Sequence, residues 1–145
     1  MDPDKRRSTS GFVFVFYGGI LSWASVMQKL VGQSTAESEL IALAYTVREA
    51  VYISNILAEL EYDEFTSVGI KGDNLAALGL ANDAMYSVRK THIALRFWFL
   101  RQLVEDGHIT VEHMQSASNI ADICTKYMPR AIHERMVAMI NAYSA

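Results

Sequence analysis

The chain has 145 residues, 51% of them hydrophobic, a formal net charge of -3 and a single cysteine. That length suits one compact core, read as one domain over residues 1–145. The charge argues against a general polyanion-coating protein, and the lone Cys124 excludes an intramolecular disulfide and fits a reducing, intracellular compartment, a cytoplasmic particle or the nucleus. No apolar run reaches the roughly 18 residues of a membrane span, and the first residues are charged, so neither a span, a signal peptide nor a membrane partner is expected.

In chain order, FVFVFYG at 12–18 and GILSWAS at 19–25 read as two strands joined by a tight turn at Gly18 and Gly19. The first is apolar throughout, which implies burial on both faces, or on one face and an edge. Gly32 precedes a helix predicted over about 35–61, where Leu40, Leu43, Val47 and Val51 recur with helical period. SVGIKGD at 67–73 reads as a short strand ending in an aspartate, and 74–82 as a small apolar helix followed by a loop over 83–89. Ile93, Phe97, Leu100 and Val104 make one stripe of a helix over about 91–105 that Gly107 stops. HITVEHM at 108–114 alternates as a strand, a helix is expected from about Asn119, and a last amphipathic helix follows Pro129. Two antiparallel strands followed by strand-helix crossovers describe an α/β layout with a sheet of mixed direction.

Three acidic residues fall where an α/β enzyme would place them. Ser34 and Glu37 stand at capping-box spacing, which explains Glu37. Glu39 has no such explanation: it lies one turn before Leu43, in line with Val47 and Ala50, at the edge of the face to be buried, where a carboxylate requires a partner, a metal or a proton. Asp73 ends a strand and Asp122 opens a helix; each alone reads equally as a helix cap or a dipole partner. The basic residues cluster at Arg6 and Arg7, at Arg89 and Lys90, and at Arg96 with Arg101, so nucleic-acid contact would be a local patch, and a solvated helix face accounts for them equally well. His92, His108, His113 and His133 have no zinc spacing.

These residues sit in RRSTSGFVF at 6–14, LSWAS at 21–25, Gln28-Lys29, STAESELIAL at 34–43, GDN at 72–74, KTHI at 90–93 with Arg96, and ADICTK at 121–126. In that order and spacing the chain closely resembles the ribonuclease H domain at the end of copia-type retrotransposon polyproteins. The resemblance implies a ribonuclease H-like α/β fold, a mixed sheet flanked by helices, and metal-dependent endonucleolytic cleavage of RNA in RNA-DNA hybrids. It implies that Glu39, Asp73 and Asp122 are catalytic ligands of two Mg2+ or Mn2+ ions, which would relieve the repulsion among clustered carboxylates. Arg6, Arg7, Asn74, Lys90, Arg96 and Arg101 become candidates for the nucleic-acid contact, and the reverse transcriptase portion of the polyprotein a partner.

One departure from the family matters. Its RRSTSG motif follows a strand whose DxDWA-like segment supplies the first catalytic aspartate; here MDPDK stands before the motif, and Asp2 and Asp4 match the loop after that strand. The expectation is a domain truncated at its N-terminus and lacking the first, central strand, a loss that dimerisation or strand exchange compensates. The alternative function is a catalytically inactive ribonuclease H-like module that binds nucleic acid or a protein partner. A smaller departure is the run Ala94 to Trp98 where the family is polar: Phe97 is expected in the core, and Trp98 either there or at an aromatic interface.

Overall fold

The computed structural model describes residues 7–29, 34–62, 67–74, 79 and 91–143. In order these form β1 (Thr9–Phe16), β2 (Gly19–Met27), α1 (Thr35–Glu59), β3 (Val68–Gly72), α2 (Thr91–Glu105), β4 (Ile109–His113), two short 3-10 turns (Ser116–Ser118 and Ile120–Cys124) and α3 (Arg130–Tyr143). The protein is mixed α/β, with small sheets and, among the described residues, three α-helices. The helix predicted over 74–82 and the loop over 83–89 lie outside the described residues, apart from Asn74 and Gly79. The chain gathers into two compact units, one comprising Met1–Val31 with Ser116–Ala145 and the other Gly32–Gln115.

In the first unit β1 and β2 form an antiparallel hairpin in the register Thr9↔Met27 to Phe16↔Gly19, with an irregularity between Phe14 and Val15. The turn falls on Tyr17 and Gly18, not on Gly18 and Gly19 as predicted. Both have positive φ, 48° and 79°, the pattern of the two-residue turn whose twist matches that of the strands. Gly18 meets this requirement without strain, whereas Tyr17 adopts a conformation that side chains disfavour. The apolar β1 is less covered than its composition suggests: Ser10 and Phe12 are buried, but Val15 is exposed. A two-stranded ribbon has few neighbours with which to cover both faces.

The segment predicted as a helix from Asn119 is the short 3-10 turn Ile120–Cys124, preceded by another at Ser116–Ser118. Asn119 accepts the Ala121 amide on its side chain at 3.2 Å, and its own amide donates to the Ser116 carbonyl at 3.1 Å. Such local bonds from short polar residues compete with the longer ladder of an α-helix. The second turn lies against β1 at Gly11, where an added Cβ would come within 2.6 Å of Thr125 Cγ2 and 2.7 Å of Cys124 Cβ. The Ser25 hydroxyl donates to the Cys124 carbonyl, fastening β2 to the same turn. In α3, which follows Pro129 as expected, Met136 is the buried anchor.

In the second unit β3 and β4 are parallel, paired from Val68↔Ile109 to Gly72↔His113, with α2 in the connection between them. Thus, among the described residues, there are two separate two-stranded sheets where the sequence led to one mixed sheet. Leu40, Leu43, Val47, Ala50, Ile53 and Leu57 of α1, Ile70 of β3, Phe97 and Leu100 of α2 and Ile109 of β4 are buried. Leu40, Leu43 and Val47 follow the predicted stripe, Val51 is only half-buried, and Phe97 is in the core as expected. The segment Glu37–Glu59 is long and apolar enough to cross a membrane, with mean hydropathy 1.3, but its buried stripe marks it as a core helix.

Both long helices of this unit end alike. After α2, the Gly107 amide donates to the Val104 carbonyl and the His108 amide to the Leu103 carbonyl, with Gly107 at φ 75°. After α1, the Glu61 amide donates to Ala58 and the Tyr62 amide to Leu57, with Glu61 at φ 63°. This double closure satisfies the last carbonyls and asks for a left-handed residue, which glycine supplies in the first case and a glutamate in the second.

Candidate functional site

Glu39 is placed by the cap of α1. Ser34 takes an extended conformation and its hydroxyl accepts the Glu37 amide at 3.1 Å, while its carbonyl accepts the Ser38 amide at 3.1 Å. With the helix start fixed, Glu39 falls one turn ahead of Leu43 and two ahead of Val47, both buried, and is itself half-buried. The geometry is that read from the sequence, a carboxylate at the rim of the buried stripe.

Asp73 is placed by the end of a ladder. The parallel pairing runs to Gly72, whose carbonyl accepts the Met114 amide at 2.8 Å. Asp73 is the first residue beyond it, half-buried, with Asn74 next to it and also half-buried. It therefore stands at the carboxyl end of a parallel strand pair, where α/β proteins form their crevices.

Asp122 occupies the second 3-10 turn of the other unit. Its carbonyl accepts the amides of Thr125 and Lys126 at 3.1 and 3.0 Å. Its carboxylate is only 13% exposed, and both oxygens lie 3.1 Å from the Lys126 ammonium. The Ser116 hydroxyl stands 3.5 Å from one of them. Lys126 lies in the ADICTK segment, and its spacing of four from Asp122 is the sequence signal for this ion pair.

All three candidate ligands are thus held by local structure. Glu39 and Asp73 belong to one unit and Asp122 to the other. Among the described residues, no three acidic, histidine or cysteine side chains converge closely enough to hold a metal ion together. In kind the donors suit Mg2+ or Mn2+, which take carboxylate oxygens. At Asp122 the ammonium of Lys126 meets the negative charge.

The basic candidates divide. Arg7 is exposed at the entry to β1. Arg6 and Lys90 lie outside the described residues, and Arg96 is carried by α2. Arg101 is held inside its own unit: its side chain is 8% exposed, ion-paired to Glu105 at 2.7 Å, with the guanidinium 5.7 Å from the Phe97 ring centre and 5.6 Å from that of Trp98. A planar cation stacked on aromatic faces is a structural fixture. Trp98 turns out 57% exposed, with one edge against Phe97. Cys124 is a free, half-buried thiol whose pKa burial raises. His108, His113 and His133 are exposed.

Compared with known proteins, the chain is 34% identical over 143 residues, 99% of its length, to the retrovirus-related Pol polyprotein from transposon TNT 1-94 of Nicotiana tabacum, of which the match covers 11%. To that from transposon RE1 of Arabidopsis thaliana it is 30% identical over 139 residues, 96% of the chain and 10% of the relative. A secreted RxLR effector protein of Plasmopara viticola shares 43% identity over 53 residues, 37% of each chain. The chain is therefore homologous to one region of retrovirus-related Pol polyproteins of plant transposons, and spans about a tenth of the length of those it matches. No family model matches it, and no solved structure does.

Proposed function

We propose that this chain is ribonuclease H-like and belongs to the reverse-transcribing machinery of a copia-type retrotransposon, where its lineage cleaves the RNA strand of RNA-DNA hybrids. The observation that carries the reading is the homology of nearly the whole chain to one region of Pol polyproteins, taken with the positions of Glu39, Asp73 and Asp122 in the motifs quoted above. Half-burial of Glu39 and Asp73, and near-burial of Asp122, agree with carboxylates kept for a cation. In the active form these three would hold Mg2+ or Mn2+. When bound, the ions supply an activated water and stabilise charge on the leaving oxygen.

The chain's own residues then have distinct duties. The cap at Ser34 fixes the rotation of α1 and so the position of Glu39; the β3–β4 ladder fixes Asp73; the turn closed on Asp122 fixes the third carboxylate. Arg7, with Arg6, Asn74, Lys90 and Arg96, would contact phosphates, which position a duplex without reading its sequence. The hybrid is recognised by the shape and ribose hydroxyls of its wide minor groove, so sequence preference is low. The partners are the hybrid and the reverse transcriptase portion of the polyprotein, with a second copy pairing along β1 as a further one.

A second reading has its own support. The Lys126 ammonium stands 3.1 Å from both oxygens of Asp122, and a module that binds hybrid without cutting it would leave that carboxylate paired as it is. Both readings require hybrid selectivity. Fluorescence anisotropy with an RNA-DNA hybrid and a DNA duplex of the same sequence should give tighter binding to the hybrid; equal affinity for the two, or binding to neither, overturns the proposal.

A further inference from the structure

The Asp122–Lys126 pair is built into its turn. The carbonyl of Asp122 accepts the amides of Thr125 and Lys126 and the Thr125 hydroxyl, so the backbone that carries the two charges is closed on itself. The ammonium sits 3.1 Å from each carboxylate oxygen, facing the carboxylate symmetrically. The lysine side chain is 54% exposed while the carboxylate is 13% exposed. The lysine is thus the solvent-facing partner and the carboxylate the enclosed one. A divalent ion on the same two oxygens would stand within a few ångströms of the ammonium, and like charges at that distance exclude one another.

We propose that Lys126 is a displaceable counter-cation: it satisfies Asp122 in the metal-free protein, and a divalent ion binds Asp122 by exchange for it. The inference rests on the reading of Asp122 as a metal ligand and adds the device that regulates that ligand. The exchange lowers metal affinity, because every binding event breaks an ion pair, and it keeps a nearly buried carboxylate from ever standing without a positive neighbour.

The test is Mn2+ titration of the full chain, followed by the electron paramagnetic resonance signal of the free aqua ion, with no nucleic acid present. Lys126→Met should bind Mn2+ about fivefold more tightly than the wild type, the factor expected when a partly exposed ion pair no longer has to be broken. Lys126→Arg should stay within about twofold of the wild type, since an arginine can hold the same carboxylate. Adding Asp122→Asn to Lys126→Met should remove the gain. In thermal melts the Mn2+-induced rise in Tm should be larger for Lys126→Met than for the wild type, and Lys126→Gln serves in its place if the methionine protein folds poorly. Unchanged or weaker Mn2+ binding by Lys126→Met, or by Lys126→Gln in its place, overturns the exchange. If Asp122→Asn still weakens binding in that case, the ligand assignment survives; if Asp122→Asn has no effect on Mn2+ binding, both fall.

Discussion

Replacing Gly11 with alanine probes the seat of the turn that carries Asp122. The new Cβ would lie 2.7 Å from Cys124 Cβ and 2.6 Å from Thr125 Cγ2, with the Ala24 carbonyl at 3.2 Å. Carbon atoms pack at about 3.5–4.0 Å, so the turn must retreat by about 1 Å. The Thr125 methyl can rotate away, but Cys124 Cβ is tied to the backbone that accepts the Ser25 hydroxyl. Overpacking of this kind costs about 1–3 kcal/mol, and the reduced freedom of the unfolded chain returns about 0.4–1 kcal/mol. The net loss of about 1–2 kcal/mol corresponds to a Tm lower by about 3–6 °C for a chain of this size. Gly19→Ala is the control, since its Cβ would meet only the Phe16 carbonyl, at 3.7 Å; it should match or slightly exceed the wild type. Thermal denaturation followed by circular dichroism measures both. A Gly11→Ala protein as stable as Gly19→Ala would refute the close packing of this turn on β1.

Two further outcomes follow from local geometry. Glu61→Gly should raise stability by about 0.5–1 kcal/mol in urea denaturation, because a left-handed residue closes α1 and glycine holds φ 63° without a Cβ penalty; a loss of stability would contradict that closure. Cys124, whose pKa burial raises, should react with a disulfide reagent with a pH midpoint above that of the urea-unfolded chain. The raised pKa favours the neutral thiol in the folded state, so its share of stability is intact below about pH 9 and is lost as pH rises through the folded value; coincident folded and unfolded midpoints would contradict the burial.

The helices of the second unit were legible because their information is local. Leu40, Leu43 and Val47 repeat with period near 3.6, Ser34 announces the start of α1, and Gly107 the end of α2. Glu39 was singled out by the same periodicity, and it stands where that row of residues put it. The hairpin was legible but its turn was displaced by one residue: Gly18-Gly19 is the obvious pair of flexible residues, yet the cross-strand register leaves Gly19 in β2 and forces Tyr17 to share the positive φ. The 3-10 turns around Asn119 were missed because the contest between side-chain and backbone acceptors is decided over a few residues, where periodicity carries no signal. The division into two sheets was not legible at all, since β3 and β4 are 41 residues apart from Val68 to Ile109 and their neighbours are chosen by long-range packing. Arg101 illustrates the limit for sites: a cation in a sequence looks the same whether it faces phosphate or stacks on Phe97 and Trp98.

Whether these carboxylates belong to a nuclease that cuts the RNA of a hybrid is decided by incubating the chain with an end-labelled RNA-DNA hybrid in Mg2+ and in Mn2+ beside Glu39→Gln and Asp73→Asn proteins. Internal cuts in the RNA strand that require the metal and disappear in both variants are the expected result. Cuts that persist in both variants would contradict it, and so would an intact RNA strand on a hybrid that the protein demonstrably binds, which would leave the binding module as the function.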